Sequence, residues 1–307
     1  MRIGVIGIGG IGGYFGAKLV SRYGTEHWIG FLQRGRHLEA IRNSGLSYLT
    51  RDHQYNVRPH LATDRPEELG RIDLAIVAVK SYDLETTLGP LSPCLGRDSV
   101  LITALNGVDI ARRCRQALPG IAVLPGCIYL SAFVESPGLV RQVGGAGNFY
   151  FGDEKGEVRE YSWIEQLLSG AGIKAVLDPE IVRRLWEKYL FVSALATATA
   201  AHGQSIGEIV RQEDARREVV CLMREIMALA RAEGLALDEG RIEENLRLAE
   251  AIPPQTRTSM QLDIEAGRRA ELDIFTEYVI QRSQEVKLAC PCHLRLYEYI
   301  KRRRAIG

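Results

Sequence analysis

The chain has 307 residues, of which 46% are hydrophobic and 25% charged, and its formal net charge at pH 7 is +1. That length allows two domains with sizeable cores, and the composition is ordinary for a globular protein. A net charge so close to zero argues against a nucleic-acid or membrane-surface partner, and no apolar run approaches the roughly twenty residues of a membrane span.

The chain opens on an apolar run that breaks into a glycine-rich turn, followed by a helix-like stretch over 14–21. In a strand–turn–helix unit the first glycine permits the tight turn, the second lets backbone approach a pyrophosphate, and the third lets the helix pack on the strand. Unpaired N–H groups at the helix N-terminus would bind the phosphates. The pattern predicts a dinucleotide site whose cofactor-binding residues are Gly7, Ile8, Gly9, Gly10, Ile11 and Gly12.

The second apolar run, over 27–32, ends in Gln33-Arg34-Gly35-Arg36. A site specific for NAD usually has Asp or Glu here, to accept a hydrogen bond from the ribose 2′-hydroxyl. Arg34 instead offers two N–H donors and a full positive charge, which suit a 2′-phosphate. We therefore predict NADP(H) as the cofactor. The alternative is that Arg34 and Arg36 form a solvated cluster of loop charges.

Strand and helix patterns alternate through the rest of the first half. Apolar runs predict buried parallel strands over 73–79, 100–105 and 122–124. The stretches over 84–91 and 108–118 are typical of helices. This alternation predicts a doubly wound α/β domain of Rossmann type.

Polar residues follow two of these strands. Lys80 comes directly after Val79, and Asn106 directly after Leu105. Ligands of doubly wound domains bind at the carboxyl ends of the strands, and a lysine there costs desolvation unless it meets an anion or water. We predict that Lys80 and Asn106 bind the cofactor. The alternatives are a solvated edge lysine and a plain Asn-Gly turn.

Between 127 and 152 the pattern changes to short runs rich in Gly, Val, Tyr and Phe. These runs predict strands and hairpins that extend the sheet. A helix over 159–168 and a short strand over 173–177 then complete the first domain.

The pattern changes again at Asp178-Pro179, after which strand signals stop. Asp178 could cap the next helix, with Pro179 at its first position, and Pro253-Pro254 forces a break. We predict an α/β domain over 1–178 and an all-α domain over 179–307. The predicted helical segments of the second domain cover about 180–201, 213–233, 238–251, 272–288 and 292–303.

Lys188 lies in a strongly apolar segment of the helical half, and the next Asp, Glu, Lys or Arg along the chain is Glu208. On a helix that is buried nearly all round, a lone lysine is costly unless it points into a cleft. Desolvation would lower its pKa from about 10.4 toward neutrality, which suits a general acid. On this pattern alone, a catalytic lysine and a lysine that extends its amine to solvent both stay open.

The six cysteines are scattered along the chain, which suits free thiols in a reducing cytoplasm better than a disulfide framework. Because a strand begins the chain, no signal peptide is expected, and a cytoplasmic location is predicted. The run Cys290-Pro291-Cys292-His293 invites a metal site, but a tetrahedral site needs a fourth ligand at finger-like spacing. We expect a loop with incidental thiols there, and no metal.

Six motifs occur in order: Gly-x-Gly-x-x-Gly at 7–12, Arg-Gly-x-His-Leu-Glu-Ala-Ile-Arg at 34–42, Val-Lys-Ser-Tyr-Asp at 79–83, Leu-Asn-Gly-Val at 105–108, Leu-Trp-Glu-Lys at 185–188 and Ser-Met-x-x-Asp-Ile-x-x-Gly-Arg-x-x-Glu-Leu-Asp at 259–273. Together they resemble the ketopantoate reductase (2-dehydropantoate 2-reductase) family over nearly the whole chain. The resemblance implies a Rossmann-type domain followed by a helical domain of the 6-phosphogluconate dehydrogenase C-terminal-like type. It also implies an active site in the cleft between them.

The resemblance implies the reduction of 2-dehydropantoate (ketopantoate) to pantoate with NADPH, a step toward pantothenate and coenzyme A. By motif match, Lys188 would be the catalytic lysine and Glu271 the active-site glutamate. Ser259 would bind the substrate, as would Asn106, and Arg34 would bind the 2′-phosphate. The expected partner is a small-molecule 2-oxo acid, and a homodimer is left open.

Two positions near Lys188 depart from the family pattern. The family typically has asparagines four and eight residues after the catalytic lysine, on the same helical face, and this chain has Val192 and Ala196. Ser193 and Thr197, on a neighbouring face, could compensate in part. The departures leave open a paralogous NADPH-dependent reductase of another 2-oxo acid or an imine. A non-catalytic NADP-binding redox sensor is a further alternative.

Overall fold

The structure is a computed structural model that describes residues 1–156 and 159–306, with side chains described as far as residue 303. It divides into two compact units, Met1–Val182 and Arg183–Gly307. The first unit contains strands and helices, and the described residues of the second are helical or connecting segments. The predicted combination of an α/β domain with an all-α domain is confirmed, while the boundary near residue 178 stays a prediction.

The first unit is built from two sheets and the helices that pack on them. Its helices are α1 (Gly10–Tyr23), α2 (Gly35–Ser44), α3 (Leu84–Leu91), α4 (Ile110–Ala117) and α5 (Ser162–Gly170). Its strands are β1 (Arg2–Ile6), β2 (Trp28–Leu32), β3 (Leu46–Leu49), β4 (Gln54–Val57), β5 (Leu61–Thr63), β6 (Ile72–Val77), β7 (Leu95–Thr103), β8 (Ala122–Leu124), β9 (Gly126–Ser136), β10 (Leu139–Phe151) and β11 (Lys174–Leu177).

Six strands form a parallel sheet in the order β5-β2-β1-β6-β7-β8. The central strands β1 and β6 are buried along nearly their whole length, as expected for apolar runs that are covered on both faces. The chain runs outward from β1 in one direction and from β6 in the other. The strand order therefore reverses between β1 and β6, the point at which doubly wound folds bind their ligands.

The predicted strands and hairpin over 126–151 are present, but they do not extend this sheet, so that part of the prediction is wrong. β9 and β10 form a long antiparallel hairpin, and β10 belongs to a second sheet with the order β11-β10-β3-β4. β3 and β4 were not predicted from the sequence, yet β3 supplies the parallel partner of β10, with Val140 opposite Tyr48. Register shifts near Gly144 mark irregularities of the kind that bend a hairpin.

Helix α1 contacts strands of both sheets. Small residues make this close packing possible. A Cβ at Gly16 would fall 2.7 Å from Phe31 in the first sheet, and one at Gly13 would fall 2.8 Å from Val140 in the second. Packing on both sides therefore holds α1, and with it the glycine-rich turn that precedes it.

The second unit is an assembly of helices, and within the described residues no helix of the chain is both long and apolar enough to cross a bilayer. The predicted segments correspond to α6, α8, α9, α11 and α12, while α7 and α10 are too short for periodicity to reveal. The helices from residue 181 onward are α6 (Ile181–His202), α7 (Ile206–Arg211), α8 (Glu213–Ala232), α9 (Gly240–Ala251), α10 (Ser259–Glu265), α11 (Thr276–Glu285) and α12 (Pro291–Ile306).

Asp178 makes the predicted capping bond at the start of α6, although the helix is assigned from a later residue than the predicted first position, Pro179. The helix begins at Ile181, and Asp178 Oδ1 accepts a hydrogen bond from Glu180 N (2.9 Å) in the preceding turn. The backbone N–H of Asp178 donates to the carbonyl of Phe151 at 2.7 Å. Asp178 is thus also attached to β10, and Pro179 lies in the turn that leads into the helix.

The expectation of six free thiols is also wrong. Cys221 of α8 and Cys292 of α12 form a disulfide, with their Cα atoms 6.3 Å apart. Pro291 begins α12, so this segment is the first turn of a helix and not a loop with incidental thiols. The two cysteines are 71 residues apart in sequence, and no local pattern reveals a contact at that separation.

A buried carboxylate caps α12 beside the disulfide. Glu225 of α8 accepts hydrogen bonds from the backbone N–H groups of Cys292 (2.7 Å) and His293 (3.0 Å), which the helix itself leaves unpaired. His293 Nδ1 lies 2.5 Å from the same carboxylate. The ligand atoms of Cys221, Glu225 and Cys292 lie within 4.8 Å of one another, as in a metal cluster. Here the sulfurs are bonded to each other and the carboxylate is bound by N–H donors.

Candidate active site

The glycine loop connects β1 to α1. β1 ends at Ile6, and α1 begins at Gly10 with Gly9 as its N-cap residue. Gly7 has a φ of +89°, a conformation that glycine adopts without strain. A Cβ at Gly12 would overlap the carbonyl oxygen of Gly7, so the close contact of helix and turn requires glycine at this position.

Gly9 differs from the other loop glycines because it faces open space. No heavy atom lies within 4 Å of the position that its Cβ would take, whereas a Cβ at Gly10 would overlap the carbonyl of Ala132 in β9. Ile8 is fully buried and Ile11 half-buried. Helix α1 has no acidic residue in its first turn and no side-chain cap. The loop thus offers uncovered backbone at a helix N-terminus, which fits a pyrophosphate.

The other predicted ligand residues of the first unit follow β2, β6 and β7. β2 and β6 are the neighbours of β1 in the sheet, and β7 is the next strand beyond β6. Backbone hydrogen bonds continue just past the strand ends: the N–H groups of Gly7, Ala78 and Ala104 donate to the adjacent strands at 2.9, 2.8 and 2.8 Å. The turns after these four strands therefore begin at one edge of the sheet. This edge, called the carboxyl edge below, comprises Gly7–Gly12, Gln33, Arg34, Lys80, Asp83 and Asn106.

Arg34 is the N-cap residue of α2, and its side chain is 73% exposed. Its guanidinium forms an ion pair with Asp83, at 2.5 Å from Nη2 to Oδ2. The side chain of Gln33 turns toward the glycine loop, where Oε1 accepts a hydrogen bond from Ile8 N at 2.8 Å. Arg34 is therefore accessible to a ligand at the carboxyl edge but shares its charge with a carboxylate. Its role toward a 2′-phosphate stays a prediction.

Lys80 and Asn106 are half-buried at the carboxyl edge. Lys80 precedes a single 3-10 turn over Ser81–Asp83, and Arg113 of α4 fixes this turn by donating to the carbonyl of Ser81 at 2.9 Å. Asn106 lies in the turn after β7, next to Gly107 with a φ of +109°. The turn that follows Lys80 is therefore fixed, and the ligand roles of Lys80 and Asn106 stay predictions.

In the second unit, Lys188 is half-buried on α6. The residues directly before and after Lys188 in sequence attach α6 to other elements of the unit. The carboxylate of Glu187 pairs with Arg241 of α9 at 2.8 Å. The hydroxyl of Tyr189 lies 2.8 and 2.9 Å from two successive carbonyl oxygens in the segment before α11. Contacts with two other elements therefore fix the backbone that carries Lys188.

Glu271 is buried, with 6% of its surface exposed, in the non-helical segment between α10 and α11. Hydroxyl groups of α6 hold the later part of this segment. Ser193 donates to the carbonyl of Phe275 at 3.4 Å, and the hydroxyls of Thr197 and Thr276 lie 2.9 Å apart. Ser193 and Thr197 are fully buried in these contacts. Their hydroxyls are therefore already engaged within the unit rather than free to replace the family's asparagines.

Ser259 is exposed and is the first residue of α10. The preceding Thr258 caps this helix, and its hydroxyl lies 2.8 Å from that of Thr199 in α6. Thr199 lies eleven residues after Lys188, about 16 Å along the helix axis. Since α10 ends at Glu265, Ser259 and Glu271 lie on different elements. The residue before Ser259 and the residues that follow Glu271 at 275–276 contact α6 at different points along that helix.

Sequence reasoning missed several residues that hold these groups in place: Asp83, Tyr189, Thr199 and the side-chain contact of Gln33. Asp83 carried a signal, because it lies within the same short motif as Lys80. Tyr189 and Thr199 lie in an apolar run, where a buried hydroxyl requires a hydrogen-bond partner. That signal shows that a partner exists but not which residue supplies it.

Known proteins match this chain over both units. The family model described as ketopantoate reductase PanE/ApbA matches residues 3–156, and the model of its C-terminal region matches 180–304. The uncharacterized oxidoreductase YkpB of Bacillus subtilis is 28% identical over 97% of this chain and 99% of its own. The 2-dehydropantoate 2-reductase of Mesorhizobium japonicum is 28% identical over 95% and 94%. The crystal structure of 2-dehydropantoate 2-reductase from Porphyromonas gingivalis superposes with a TM-score of 0.83 at 30% identity, covering 97% and 98%.

Proposed function

The chain belongs to the ketopantoate reductase family, and on that premise we propose that it reduces a 2-oxo acid with NADPH, with 2-dehydropantoate as the first candidate substrate. Members of the family are oxidoreductases that act on C=O and CH–OH groups with a nicotinamide cofactor. One observation carries the proposal furthest: the uncovered backbone at Gly9 and the exposed guanidinium of Arg34 belong to turns at the same edge of one sheet.

The carboxyl edge supplies groups that suit NADPH. The N-terminus of α1 and the open backbone at Gly9 would hold the pyrophosphate. Arg34 would hold the 2′-phosphate, for which a planar, permanently charged guanidinium is well suited. Lys80 and Asn106 would contact the remainder of the cofactor. When bound, NADPH supplies the hydride equivalent that reduces the 2-oxo carbon.

The second unit supplies the acid chemistry. Lys188 would donate a proton from Nζ to the oxygen of the 2-oxo group as negative charge develops there, which combines acid catalysis with charge stabilisation. Glu271, a buried carboxyl group, would orient the substrate hydroxyl or the lysine amine. Ser259 would bind the substrate carboxylate, and Asn106 would contact the substrate as well as the cofactor.

The test follows the oxidation of NADPH by the purified full chain, with 2-dehydropantoate beside a panel of branched and aromatic 2-oxo acids. NADH is measured in parallel. Efficient turnover of 2-dehydropantoate with NADPH is the expected result. If the chain binds NADPH but turns over no 2-oxo acid of the panel, the proposal is wrong, and a reductase of an imine or a redox sensor is the better description.

A second candidate is a reductase for a bulkier or less polar 2-oxo acid. Val192 is half-buried and Ala196 is buried on α6, and neither offers a hydrogen bond. The hydroxyls of Ser193 and Thr197 are engaged elsewhere, so this part of the helix has no evident substitute for the family's asparagines. Faster turnover of a bulky 2-oxo acid than of 2-dehydropantoate would favour this candidate.

A further inference from the structure

We infer that Asp83 is a specificity-determining residue of the cofactor site, which weakens the preference for a 2′-phosphorylated dinucleotide by sharing the charge of Arg34. The inference rests on the proposed binding of a dinucleotide at the carboxyl edge. No role was predicted for Asp83 from the sequence. Asp83 places a fixed carboxylate beside the predicted site of a phosphate dianion.

The structure pairs an acidic side chain with Arg34, the residue that is predicted to bind the 2′-phosphate. Asp83 Oδ2 lies 2.5 Å from Arg34 Nη2, and the two residues come from turns after different strands, β2 and β6. The Arg34 side chain is 73% exposed, whereas that of Asp83 is 23% exposed. A ligand that approaches the guanidinium from solvent therefore meets a cation whose charge is already partly balanced.

Asp83 is the fixed member of this pair. Its backbone N–H donates to the carbonyl of Lys80 at 2.9 Å. Its own carbonyl accepts hydrogen bonds from the hydroxyls of Thr86 (3.0 Å) and Thr87 (2.7 Å) at the start of α3. Arg34, by contrast, is long and largely exposed, so it can reorient when a phosphate binds. The carboxylate then remains within a few ångströms of the bound anion.

The charges near the N-terminus of α2 act on a bound phosphate in opposite directions. Helix α2 begins at Gly35 with no acidic residue in its first turn and no side-chain cap, which favours an anion at its N-terminus. Arg34 adds a positive charge that attracts the phosphate, and Asp83 adds a negative charge that repels it. A phosphate dianion this close to a carboxylate is repelled even in water, and screening by salt reduces the repulsion, with a Debye length of about 8 Å at physiological ionic strength.

A dinucleotide without the 2′-phosphate is not repelled by Asp83 in this way. Its ribose 2′-hydroxyl can donate a hydrogen bond to a carboxylate, the group that NAD-specific sites usually supply at the end of the second strand. Gln33 occupies that position here, and its side-chain oxygen accepts from Ile8 N. Asp83 is thus the acid of the carboxyl edge that lies beside Arg34, and it disfavours NADPH relative to NADH.

The test compares dissociation constants for NADPH and NADH, measured by fluorescence titration of the full chain, in the wild type and in Asp83→Asn. We expect NADPH to bind about threefold to tenfold more tightly in the variant, with the gain shrinking as salt is added. NADH should bind equally well or more weakly. Asp98→Asn is the matched control, because Asp98 pairs with Arg71 at 3.0 Å near the amino end of β7, away from the carboxyl edge.

Two further variants distinguish a failure of the proposed cofactor choice from a failure of the inference about Asp83. Asp83→Glu keeps the charge and should keep a ratio of affinities near that of the wild type, and circular dichroism verifies folding. Arg34→Ala should weaken NADPH alone. If Arg34→Ala leaves the NADPH to NADH ratio unchanged, the proposed cofactor choice is overturned. If Arg34→Ala lowers that ratio while Asp83→Asn leaves it unchanged or tightens both cofactors equally, the inference about Asp83 alone is overturned.

Discussion

The two units of this chain present their functional groups by different means. In the first unit the candidate ligand surface is mainly backbone, shaped by Gly7, Gly9 and Gly12 over a few residues of strand and helix. In the second unit the candidate groups are the side chains of Lys188 and Glu271, held by contacts between residues far apart in sequence. A site made of backbone is specified locally, whereas a site made of side chains depends on the packing of the whole unit.

This contrast has experimental consequences. Changes at the carboxyl edge should alter cofactor binding with little effect on the acid chemistry. Changes in the helical unit should alter turnover or the stability of that unit with little effect on cofactor binding.

The largest effect is expected from Lys188→Ala. If Lys188 protonates the developing alkoxide, its removal should lower kcat by about 10²-fold to 10⁴-fold, the usual contribution of a general acid. The dissociation constant of NADPH should change by less than about twofold, because Lys188 belongs to the other unit. Steady-state kinetics and fluorescence titration measure the two quantities.

Lys301→Ala is the matched control for this variant. Lys301 is an exposed residue of α12 that pairs with Glu298 at 2.5 Å, and its removal should leave both quantities unchanged. Retention of wild-type kcat in Lys188→Ala would show that another group supplies the proton. Parallel loss of NADPH binding would show that the two units do not divide the tasks.

The second prediction concerns the disulfide of the helical unit. Replacing Cys221 by Ser removes a covalent link between α8 and α12 across 71 residues of sequence. We expect the free energy of unfolding of the second unit to fall by about 2–4 kcal/mol, with the loss attributed largely to greater freedom of the unfolded chain. Differential scanning calorimetry, with and without a thiol reductant, measures the change.

The reductant should lower the unfolding temperature of the wild type and have no further effect on Cys221→Ser. Cys290→Ser, a variant of a buried free thiol in the same unit, should remain sensitive to the reductant. A reductant effect that moves the transition of the first unit would contradict the separation between the units.

The third prediction distinguishes two glycines of the same loop. Gly9→Ala places a methyl group in open space, so the protein should fold normally, but the phosphate would lose its close approach to the backbone. NADPH binding should weaken by about tenfold to hundredfold, the value of one or two hydrogen bonds to a charged group. Gly12→Ala should destabilise the first unit itself, because its methyl would overlap the carbonyl of Gly7. Equal stability of the two variants would contradict the geometry of the loop.

The same contrast explains what could be predicted from the sequence. The glycine loop and its flanking strand and helix follow from local signals, and the structure has β1 and α1 where the pattern indicates them. The positions of Lys80 and Asn106 after neighbouring strands follow from the alternation of strands and helices alone. Local periodicity also identified the long helices α6, α8 and α9.

Long-range pairing could not be predicted in this way. The hairpin of β9 and β10 joins a second sheet because β10 pairs with β3, and no local feature of either strand specifies that partner. The Cys221–Cys292 bond and the contact of Tyr189 with the segment before α11 depend likewise on tertiary packing. Asp83 is an intermediate case. Its motif was recognised in the sequence, but its ion pair with Arg34 joins the turns after two different strands, β2 and β6, and so depends on the sheet.

The smallest effect is expected from pH. Burial lowers the pKa of one histidine in each unit, His37 and His293, and in His293 the Glu225 carboxylate opposes the shift. Both rings therefore stay neutral in the folded protein at pH values where the unfolded chain, with a histidine pKa of about 6.5, begins to protonate. The unfolded state binds more protons in that range, so stability is fully present above about pH 6.5 and declines as the pH falls below it.

His37 allows the units to be separated in this experiment. Its Nδ1 accepts a hydrogen bond from Gly138 N at 2.9 Å, and a protonated ring, which has only donors, loses that bond. In His37→Gln the decline in stability of the first unit between pH 7 and pH 5 should be smaller, while the second unit keeps its decline through His293. His53→Gln, at an exposed histidine of the first unit, is the control and should behave like the wild type. Calorimetry at both pH values decides the matter, because an unchanged slope in His37→Gln would assign the acid sensitivity of the first unit to its carboxylates.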